Sequence, residues 1–225
     1  MAPEHSARVE RIVAHDADTR SLFLRQTDGE RIAFRPGQFI SCLIPSGSER
    51  LIRPYSIASD PDRELMEICL NRVPGGPGSA YLLGLEQGAT VHFTGPWGTF
   101  VLDHAPDAEA IFIADGTGIA PIRPMIHRAL ATAGGRIGLL YATEPGAPVL
   151  YRAEVDDLAR RHERFTLAHV SSAALRDEVT RRWVDGDRDR SRRFFICGVG
   201  AIVPTLRDVL RGAGYERRAV QYEKW

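Results

Sequence analysis

The sequence predicts two domains of different classes, an antiparallel β-barrel followed by an α/β domain with a doubly wound parallel sheet. Short strand-like segments bounded by turn residues fill the first hundred residues. After residues 103–107, continuous apolar segments alternate with helix-like stretches, which is the pattern of a parallel sheet with crossover helices. The length of 225 residues suits two domains. We therefore expect one domain over residues 1–104 and a second over residues 105–225.

The barrel prediction depends on six strand-like segments between turn signals such as Asp28-Gly29, Pro36-Gly37 and Pro61-Asp62. Evenly spaced short strands of this kind favour a closed antiparallel barrel. A short helix is expected over Ser79–Leu85, because this segment follows the glycine-rich loop Gly75-Gly76-Pro77-Gly78. The predicted strands are Ala7–Ala14, Ser21–Gln26, Phe39–Leu43, Tyr55–Ser59, Leu65–Arg72 and Thr90–Thr94.

In the second half, the first predicted strand is a continuous apolar run, as expected of a strand that is buried on both faces. The predicted strands are Ala110–Ala114, Ile137–Ala142, Phe165–His169, Arg193–Cys197 and Ala219–Glu223. The predicted helices between them are Pro121–Ala131, Arg152–Arg161, Leu175–Val184 and Val203–Ala213.

Composition excludes several classes of function. Lysine plus arginine and aspartate plus glutamate each number 29, so bulk charge does not indicate nucleic acid as a partner. No apolar run approaches the roughly 18 residues of a membrane span. The three cysteines are far apart, without the spacing of a zinc or iron–sulfur site, and we expect a cytoplasmic protein whose one-electron carrier is a separate protein.

The sharpest local signal is the turn Gly116-Thr117-Gly118, which follows a buried strand and opens a helix. Glycines let a ligand approach the backbone closely, and the N–H groups at a helix start favour a pyrophosphate. Pro121 suits the first helical turn. A plain strand–helix turn is the alternative, but the strand–turn–helix context favours a dinucleotide site.

A second signal is Arg53-Pro54-Tyr55-Ser56. An arginine can pair with phosphate, a tyrosine ring can stack on a flat heterocycle, and a hydroxyl can bond a ring nitrogen. The alternative is a strand edge with a packed tyrosine. The loop before Ser79, which contains Gly76 and Gly78, is a second candidate phosphate site, with a simple turn as its alternative.

Four residues near the end of the chain complete the set. Cys197 and Gly198 end a predicted strand, at the edge where such sheets bind ligands, although a buried apolar role is the commoner one for cysteine. Glu223 and Trp225 lie at the end of the chain, where a tryptophan is often a packing residue.

Together these motifs, in this order and with Gly95-Pro96-Trp97-Gly98-Thr99-Phe100 between them, resemble the ferredoxin–NADP⁺ reductase superfamily over nearly the whole chain. The resemblance implies a flavin-binding barrel, an NAD(P)-binding α/β domain, FAD as bound cofactor, and hydride transfer from NAD(P)H. It implies that electrons pass on to ferredoxin, flavodoxin or an oxygenase component.

The resemblance also assigns roles to residues. It implies that Arg53 binds flavin phosphate, that Tyr55 stacks on the isoalloxazine, and that Ser56 lies near the flavin nitrogen that receives hydride. Pro54 belongs to the same motif, and Gly76, Gly78 and Ser79 meet the FAD pyrophosphate. On the nucleotide side it places Gly116, Thr117 and Gly118 on the dinucleotide and Cys197 and Gly198 beside the nicotinamide. Glu223 lies near the redox centre and Trp225 covers the flavin.

The sequence departs from many relatives at Asp115 and Glu144. A carboxylate at Asp115 is unfavourable beside a pyrophosphate unless it points away or caps the helix. Glu144 follows the second strand of the sheet, where it would repel the 2′-phosphate of NADPH and could bond the hydroxyl of NADH. We therefore expect NADH in preference to NADPH, with NADPH possible. A third departure is Val199 and Gly200 in place of prolines.

Alternative functions remain at this point. A free-flavin or quinone reductase would need no protein partner. A permanent electron-transfer subunit of a larger complex would have no activity of its own, and a nucleotide-binding sensor would lack the chemistry. Retention of Ser56, Cys197 and Glu223 argues against the sensor.

Overall fold

The structure is a computed structural model that describes residues 3–102, 108–132 and 134–224. The chain divides into two compact units, Met1–Val101 and Leu102–Trp225. The predicted boundary between residues 104 and 105 lies in segment 103–107, outside the described residues.

The first unit is a six-stranded antiparallel sheet with the strand order β4-β3-β6-β1-β2-β5. A single helix, α1 (Pro77–Leu83), lies between the fifth and sixth strands in the chain. The strands are β1 (Glu4–Ala14), β2 (Thr19–Gln26), β3 (Phe39–Ser46), β4 (Glu49–Ser56), β5 (Met66–Asn71) and β6 (Thr90–Trp97).

The sheet closes on itself through the residues that follow β4. Ile57 forms an antiparallel bridge with Ile68 of β5, and the Ala58 N–H donates to the Glu67 carbonyl at 2.7 Å. Since β4 and β5 are the two ends of the strand order, these contacts join the ends and make the predicted barrel. Alternate residues such as Ile40, Cys42 and Ile44 on β3 point into its buried apolar core.

The fourth strand was predicted in the wrong place. The predicted strand begins at Tyr55, whereas β4 begins at Glu49, and only two residues separate it from the end of β3 at Ser46. Most β4 side chains are exposed, so the strand lacks the apolar alternation that would reveal it. Gly47, with φ of 62°, makes the tight hairpin possible. The consequence is that Arg53-Pro54-Tyr55-Ser56 lies in the last half of β4 and not at the start of a strand.

The second unit is a five-stranded sheet with the order β11-β10-β7-β8-β9, and every neighbouring pair is parallel. This order confirms the predicted doubly wound fold, because the chain runs from β7 outward in one direction and then returns to the other side of β7. The strands are β7 (Ala110–Asp115), β8 (Ile137–Thr143), β9 (Phe165–Ser171), β10 (Arg193–Gly198) and β11 (Val220–Lys224). The helices are α2 (Ile119–Thr132), α3 (Arg152–Arg161), α4 (Leu175–Val179) and α5 (Ile202–Gly212).

The predicted helix Leu175–Val184 is interrupted. Its α-helical part ends at Val179, and a π-helical segment, Thr180–Asp185, continues it. The Trp183 carbonyl accepts hydrogen bonds from two side chains, the Tyr215 hydroxyl at 2.9 Å and Arg190 Nη1 at 2.8 Å. This carbonyl is therefore satisfied without a regular helical bond, which allows the wider turn.

Among the described helices, none is long and apolar enough to span a membrane.

Candidate functional site

Residues of the Arg53-Pro54-Tyr55-Ser56 motif meet the start of α1 in the first unit. A Cβ added at Gly78 would lie 2.8 Å from Arg53 Cγ and 3.2 Å from the Tyr55 hydroxyl. Gly78 therefore lets the helix start pack directly against these two side chains. The Arg53 guanidinium is exposed and donates to the Ile52 carbonyl at 2.8 Å, while burial raises the pKa of the Tyr55 hydroxyl to about 12.

The glycine loop is held by the Ser79 side chain. The Ser79 hydroxyl accepts from the Val73 N–H at 2.9 Å and donates to the Gly76 carbonyl at 3.1 Å. Gly76 is required there, because a Cβ would lie 2.9 Å from Val73 Cβ. The first helical bond runs from Ala80 N to Gly76 O, so the N–H groups of Gly78 and Ser79 lie in the first turn, where donors lack helical acceptors.

The Ser56 hydroxyl is buried without a hydrogen-bond partner among the described residues. The side chain is 5% exposed. Burying a hydroxyl without a hydrogen-bond partner costs free energy, so buried hydroxyls usually bond to other protein groups, to ordered water or to a ligand. Ser56 is thus a donor or acceptor that the described residues leave for a ligand.

In the second unit, the turn after β7 packs backbone against backbone on the end of β10. A Cβ at Gly118 would lie only 2.1 Å from the Cys197 carbonyl oxygen and 2.8 Å from the Gly198 nitrogen. A Cβ at Gly198 would lie 2.9 Å from Asp115 Cβ. The two glycines thus bring the predicted dinucleotide turn and the Cys197-Gly198 strand end into direct contact.

The dinucleotide turn itself is formed by a single 3₁₀ turn, Gly116–Gly118, with Gly116 at φ of 54°. Nothing lies within 4 Å of a Cβ built at Gly116, so this glycine is required by its backbone conformation and not by space. Thr117 is half-buried between the two glycines.

The structure shows where the Asp115 carboxylate points. It does not cap the following helical turn; its Oδ1 accepts a hydrogen bond from the Ser172 hydroxyl at 2.6 Å. Desolvation raises the pKa of the Asp115 carboxyl, the bond from Ser172 lowers it, and the charge of Glu144 raises it further. Ser172 was not among the predicted site residues, although its place directly after β9 puts it at the same sheet edge.

Tyr141 is a second residue that sequence reasoning missed. Its side chain is buried, and its hydroxyl accepts from the Leu150 N–H at 3.1 Å and donates to the Gly116 carbonyl at 3.4 Å. The tyrosine therefore connects the dinucleotide turn with the loop between β8 and α3. Its place inside an apolar strand gave no signal of this contact.

Glu144 lies in that loop, and its side chain is exposed. The Ala147 N–H donates to the Glu144 carbonyl at 3.1 Å and forms a turn, as the glycine and prolines of the loop suggest. The negative charge of Glu144 raises the pKa of the Asp115 carboxyl. The two carboxylates that depart from the family pattern are therefore electrostatic neighbours.

Cys197 and Glu223 lie side by side on β10 and β11, where their Cα atoms are partners in the parallel ladder. Cys197 is 1% exposed. The Glu223 Oε2 atom is buried without a hydrogen-bond partner among the described residues, and burial raises the pKa of this carboxyl to about 7. Trp225 lies outside the described residues.

The structure thus groups the predicted residues within each unit. Arg53, Tyr55 and Gly78 meet in the first unit, and Gly116–Gly118 meets the Cys197-Gly198 end in the second. The Ser79 hydroxyl is bonded within its own loop, and the N–H of this residue lies in the first turn of α1.

Comparison with known families defines the class of protein. An oxidoreductase FAD-binding domain matches residues 7–102, and an oxidoreductase NAD-binding domain matches residues 112–207. The chain is therefore an FAD-dependent oxidoreductase that uses a nicotinamide nucleotide.

Similarity to one relative identifies the family within this class. The chain is 32% identical to ferredoxin–NADP reductase B of Sorangium cellulosum, over 92% of this chain and 91% of the relative. The chain belongs to the ferredoxin–NADP⁺ reductase superfamily, which confirms the resemblance that its motifs show.

Other relatives are longer. The chain is 29% identical to the ferredoxin reductase component of the 3-ketosteroid-9-alpha-monooxygenase of Rhodococcus rhodochrous, over 96% of this chain and 63% of that protein. The chain therefore spans less than two thirds of the length of this relative.

Solved structures agree on the fold. The Amycolatopsis cytochrome P450 reductase GcoB matches with a TM-score of 0.85 and 26% identity, over all of this chain and 71% of that one. The ferredoxin NADP⁺ reductase of Neisseria gonorrhoeae, solved with FAD and NADP, matches with a TM-score of 0.84 over 100% and 99% of the two chains. At 18% identity, the second match shows the fold alone.

We predict that Gly118→Ala destabilises the second unit by about 3 kcal/mol or more, because the new methyl would collide with the Cys197 carbonyl, which belongs to a buried strand. Urea unfolding measures the loss. Gly212→Ala is the matched control, since nothing lies within 4 Å of a Cβ there. Equal unfolding midpoints for the two variants would show that the close approach is not a constraint.

We predict that Glu223→Gln gains stability relative to the natural chain as pH rises. Burial raises the folded-state pKa from 4.5 to about 7, so the folded protein holds a proton that the unfolded chain has released. The free energy of unfolding of the natural chain therefore falls by up to about 3 kcal/mol between pH 4.5 and 7, and that of the glutamine variant does not. Urea unfolding at pH 5 and pH 8 tests this. Glu163→Gln, at an exposed position, is the control; a constant difference between Glu223→Gln and the natural chain would contradict the account.

Proposed function

We propose that this chain takes a hydride from NADH onto bound FAD and passes the electrons to a separate protein, either a ferredoxin or an oxygenase component. The observation that carries the proposal is the Arg53–Ser56 segment, with a buried Ser56 hydroxyl that has no partner among the described residues and a glycine loop packed against Arg53 and Tyr55. The names of the relatives support the type of acceptor, since they include a ferredoxin–NADP reductase and a reductase component of a monooxygenase.

The residues of the first unit fit FAD. In this proposal the exposed Arg53 guanidinium binds phosphate, and the Tyr55 ring provides a surface for the isoalloxazine. Pro54 keeps the segment extended at the end of the strand order, where a missing N–H is tolerated. The N–H groups of Gly78 and Ser79 bind the pyrophosphate, with Gly76 permitting the turn before them. FAD, when bound, supplies the redox chemistry, and the protein supplies orientation.

Ser56 is proposed to orient the reactive edge of the flavin ring. Its hydroxyl is held on a barrel strand, and a fixed donor costs little reorganisation when charge develops on the group that it faces. Because burial excludes water from this hydroxyl, its hydrogen bond to a ligand is stronger than the same bond in solvent.

The second unit is proposed to bind the nicotinamide dinucleotide along the carboxyl edge of its sheet. Gly116, Thr117 and Gly118 receive the pyrophosphate at the start of the helical segment, where N–H groups lack helical acceptors. The nicotinamide lies beside Cys197 at the end of β10, where Gly198 lets the strand end pack closely against Asp115. Glu144, in the loop after β8, disfavours a 2′-phosphate and accepts from a 2′-hydroxyl, which supports NADH as the physiological donor.

Glu223 is proposed to hold a proton at neutral pH. Its raised pKa of about 7 gives a mixture of protonated and ionised carboxyl under cellular conditions, which suits a group that exchanges a proton near a redox centre.

The partner is proposed to be a protein, with flavodoxin as a further candidate. Two other functions remain candidates: a free-flavin or quinone reductase, and an electron-transfer subunit of a larger complex. Turnover with NADH and cytochrome c separates them, because the proposal expects a rate that depends on added ferredoxin or oxygenase component and not on added free flavin or quinone. A cytoplasmic location is proposed as well, since none of the three cysteines forms a disulfide.

We predict that Ser56→Ala slows flavin reduction by about 10²–10³, by analogy with the loss of other preorganised donors. Anaerobic stopped-flow measurement of flavin bleaching with NADH gives the rate, and the FAD content of the purified variant shows whether binding is intact. Ser48→Ala removes a serine hydroxyl from the exposed hairpin turn and is the control. A Ser56→Ala rate equal to that of the natural chain would reject the role.

We predict that kcat/KM is higher with NADH than with NADPH, because Glu144 repels the 2′-phosphate. Glu144→Gln is expected to raise kcat/KM with NADPH more than with NADH. Steady-state rates with a saturating acceptor measure both. A tenfold preference of the natural chain for NADPH, about 1.4 kcal/mol, would show that a cation elsewhere overrules Glu144.

A further inference from the structure

The hydrogen bond between Ser172 and Asp115 joins two segments that are far apart in the sequence. Asp115 is the last residue of β7 and stands directly before the dinucleotide turn. Ser172 is the first residue after β9 and begins a 3₁₀ turn. Their oxygen atoms are 2.6 Å apart, so the carboxylate has one fixed direction at the edge of the sheet.

This bond spans the end of β8, the strand between β7 and β9. In the sheet register, Asp115 is opposite Ala142, and Thr143 is opposite Ser171. The residue after Thr143 is Glu144, which begins the exposed loop. Asp115 and Ser172 therefore stand on either side of the strand end that leads to Glu144.

In sheets of this class, the adenosine ribose lies over the end of the second strand, and an acidic residue there bonds its 2′-hydroxyl. In this unit the second strand is β8. The place expected for the ribose therefore has a carboxylate from the loop of β8 itself and a second, anchored carboxylate from β7 beside it. The charge of Glu144 raises the pKa of Asp115, in keeping with their places at the same edge of the sheet.

We propose that Asp115, held by Ser172, is a specificity-determining residue that makes the nucleotide site select a ribose with a free 2′-hydroxyl. The proposal rests on the nucleotide site of the proposed function and adds a residue to it. A fixed negative charge beside the ribose repels a 2′-phosphate, and the Ser172 hydroxyl, which could otherwise donate to that phosphate, is already donated to Asp115.

The bond from Ser172 supports the effect of the charge by holding the carboxylate in place. A carboxylate on a mobile side chain could turn away from an incoming phosphate, whereas Asp115 is half-buried and bonded. Gly198 lies against its Cβ, since a Cβ built at Gly198 would be 2.9 Å from that atom. Ser172 is a positioning residue in this account, because it acts through the direction that it gives to Asp115.

Calorimetric titration of the FAD-loaded protein with 5′-AMP and with 2′,5′-ADP, which differ only by the 2′-phosphate, tests the proposal by binding alone. We expect Asp115→Asn to lower the ratio of the dissociation constants, 2′,5′-ADP over 5′-AMP, by at least tenfold, because asparagine keeps the shape and removes the charge. Ser172→Ala is expected to lower it by a smaller factor. Asp177→Asn makes the same charge change at an exposed position of α4 and is expected to leave the ratio as it is.

A measurement on the natural chain keeps the test independent of how well the variants fold. Raising the salt concentration from about 0.02 to 0.5 M screens charges, so the ratio is expected to fall in the natural chain and to change much less in Asp115→Asn. A purely structural role of Asp115 would alter both affinities together and leave the ratio fixed.

The outcomes separate the two levels of the proposal. If the natural chain binds both ligands and Asp115→Asn changes their affinities equally, the specificity role is overturned while the nucleotide site stands. If Glu144→Gln alone removes the whole difference between the two dissociation constants, Asp115 has no role in specificity. If the natural chain binds neither ligand, the nucleotide site of the proposed function fails, and this inference fails with it.

Discussion

The close approach of Gly118 to the end of β10 is the constraint on which the nucleotide unit depends. The space that a Cβ would need is occupied by the Cys197 carbonyl, at 2.1 Å, so only glycine allows the turn after β7 to reach this strand. The contact fixes the turn against β10, which is the neighbour of β7 that comes later in the chain than β8. Because β10 lies on the opposite side of β7 from β8, the turn stands where the strand order reverses, which is the place where such sheets bind ligands.

Side-chain bonds then fix what the backbone contact leaves free. The Tyr141 hydroxyl bonds the Gly116 carbonyl and the Leu150 N–H, and Ser172 bonds Asp115. The turns that follow β7, β8 and β9 are thereby connected at one edge of the sheet. A rigid edge limits the positions that a bound nucleotide can take, and it gives the Asp115 carboxylate a fixed place.

In the first unit, a glycine likewise allows close packing beside the candidate cofactor site. Gly78 allows the start of α1 to pack on Arg53 and Tyr55, and the Ser79 hydroxyl closes the loop that leads into the helix. Among the described residues, the polar groups that this packing leaves for a ligand include the Arg53 guanidinium, the first N–H groups of α1 and the buried Ser56 hydroxyl. A small set of fixed polar groups on an apolar barrel is what gives a cofactor one orientation.

Much of this could be predicted from the sequence, and the failures have physical causes. The apolar runs of β7 and β8 and the glycine motifs are local signals, so the fold class and the predicted motifs were accessible. β4 was misplaced because an exposed strand has no apolar alternation. Ser172 and Tyr141 were missed because their partners, Asp115 and Gly116, are distant in sequence and meet only through the sheet register.

Anaerobic titration of the purified, FAD-loaded protein with NADH, followed by the flavin absorbance, shows whether one chain binds FAD and reduces it with a nicotinamide nucleotide. We expect a yellow protein with one FAD per chain that is bleached by one equivalent of NADH. A protein that retains no flavin after incubation with FAD would rule out the cofactor, and a bound flavin whose absorbance excess NADH and NADPH both leave unchanged would rule out the reaction.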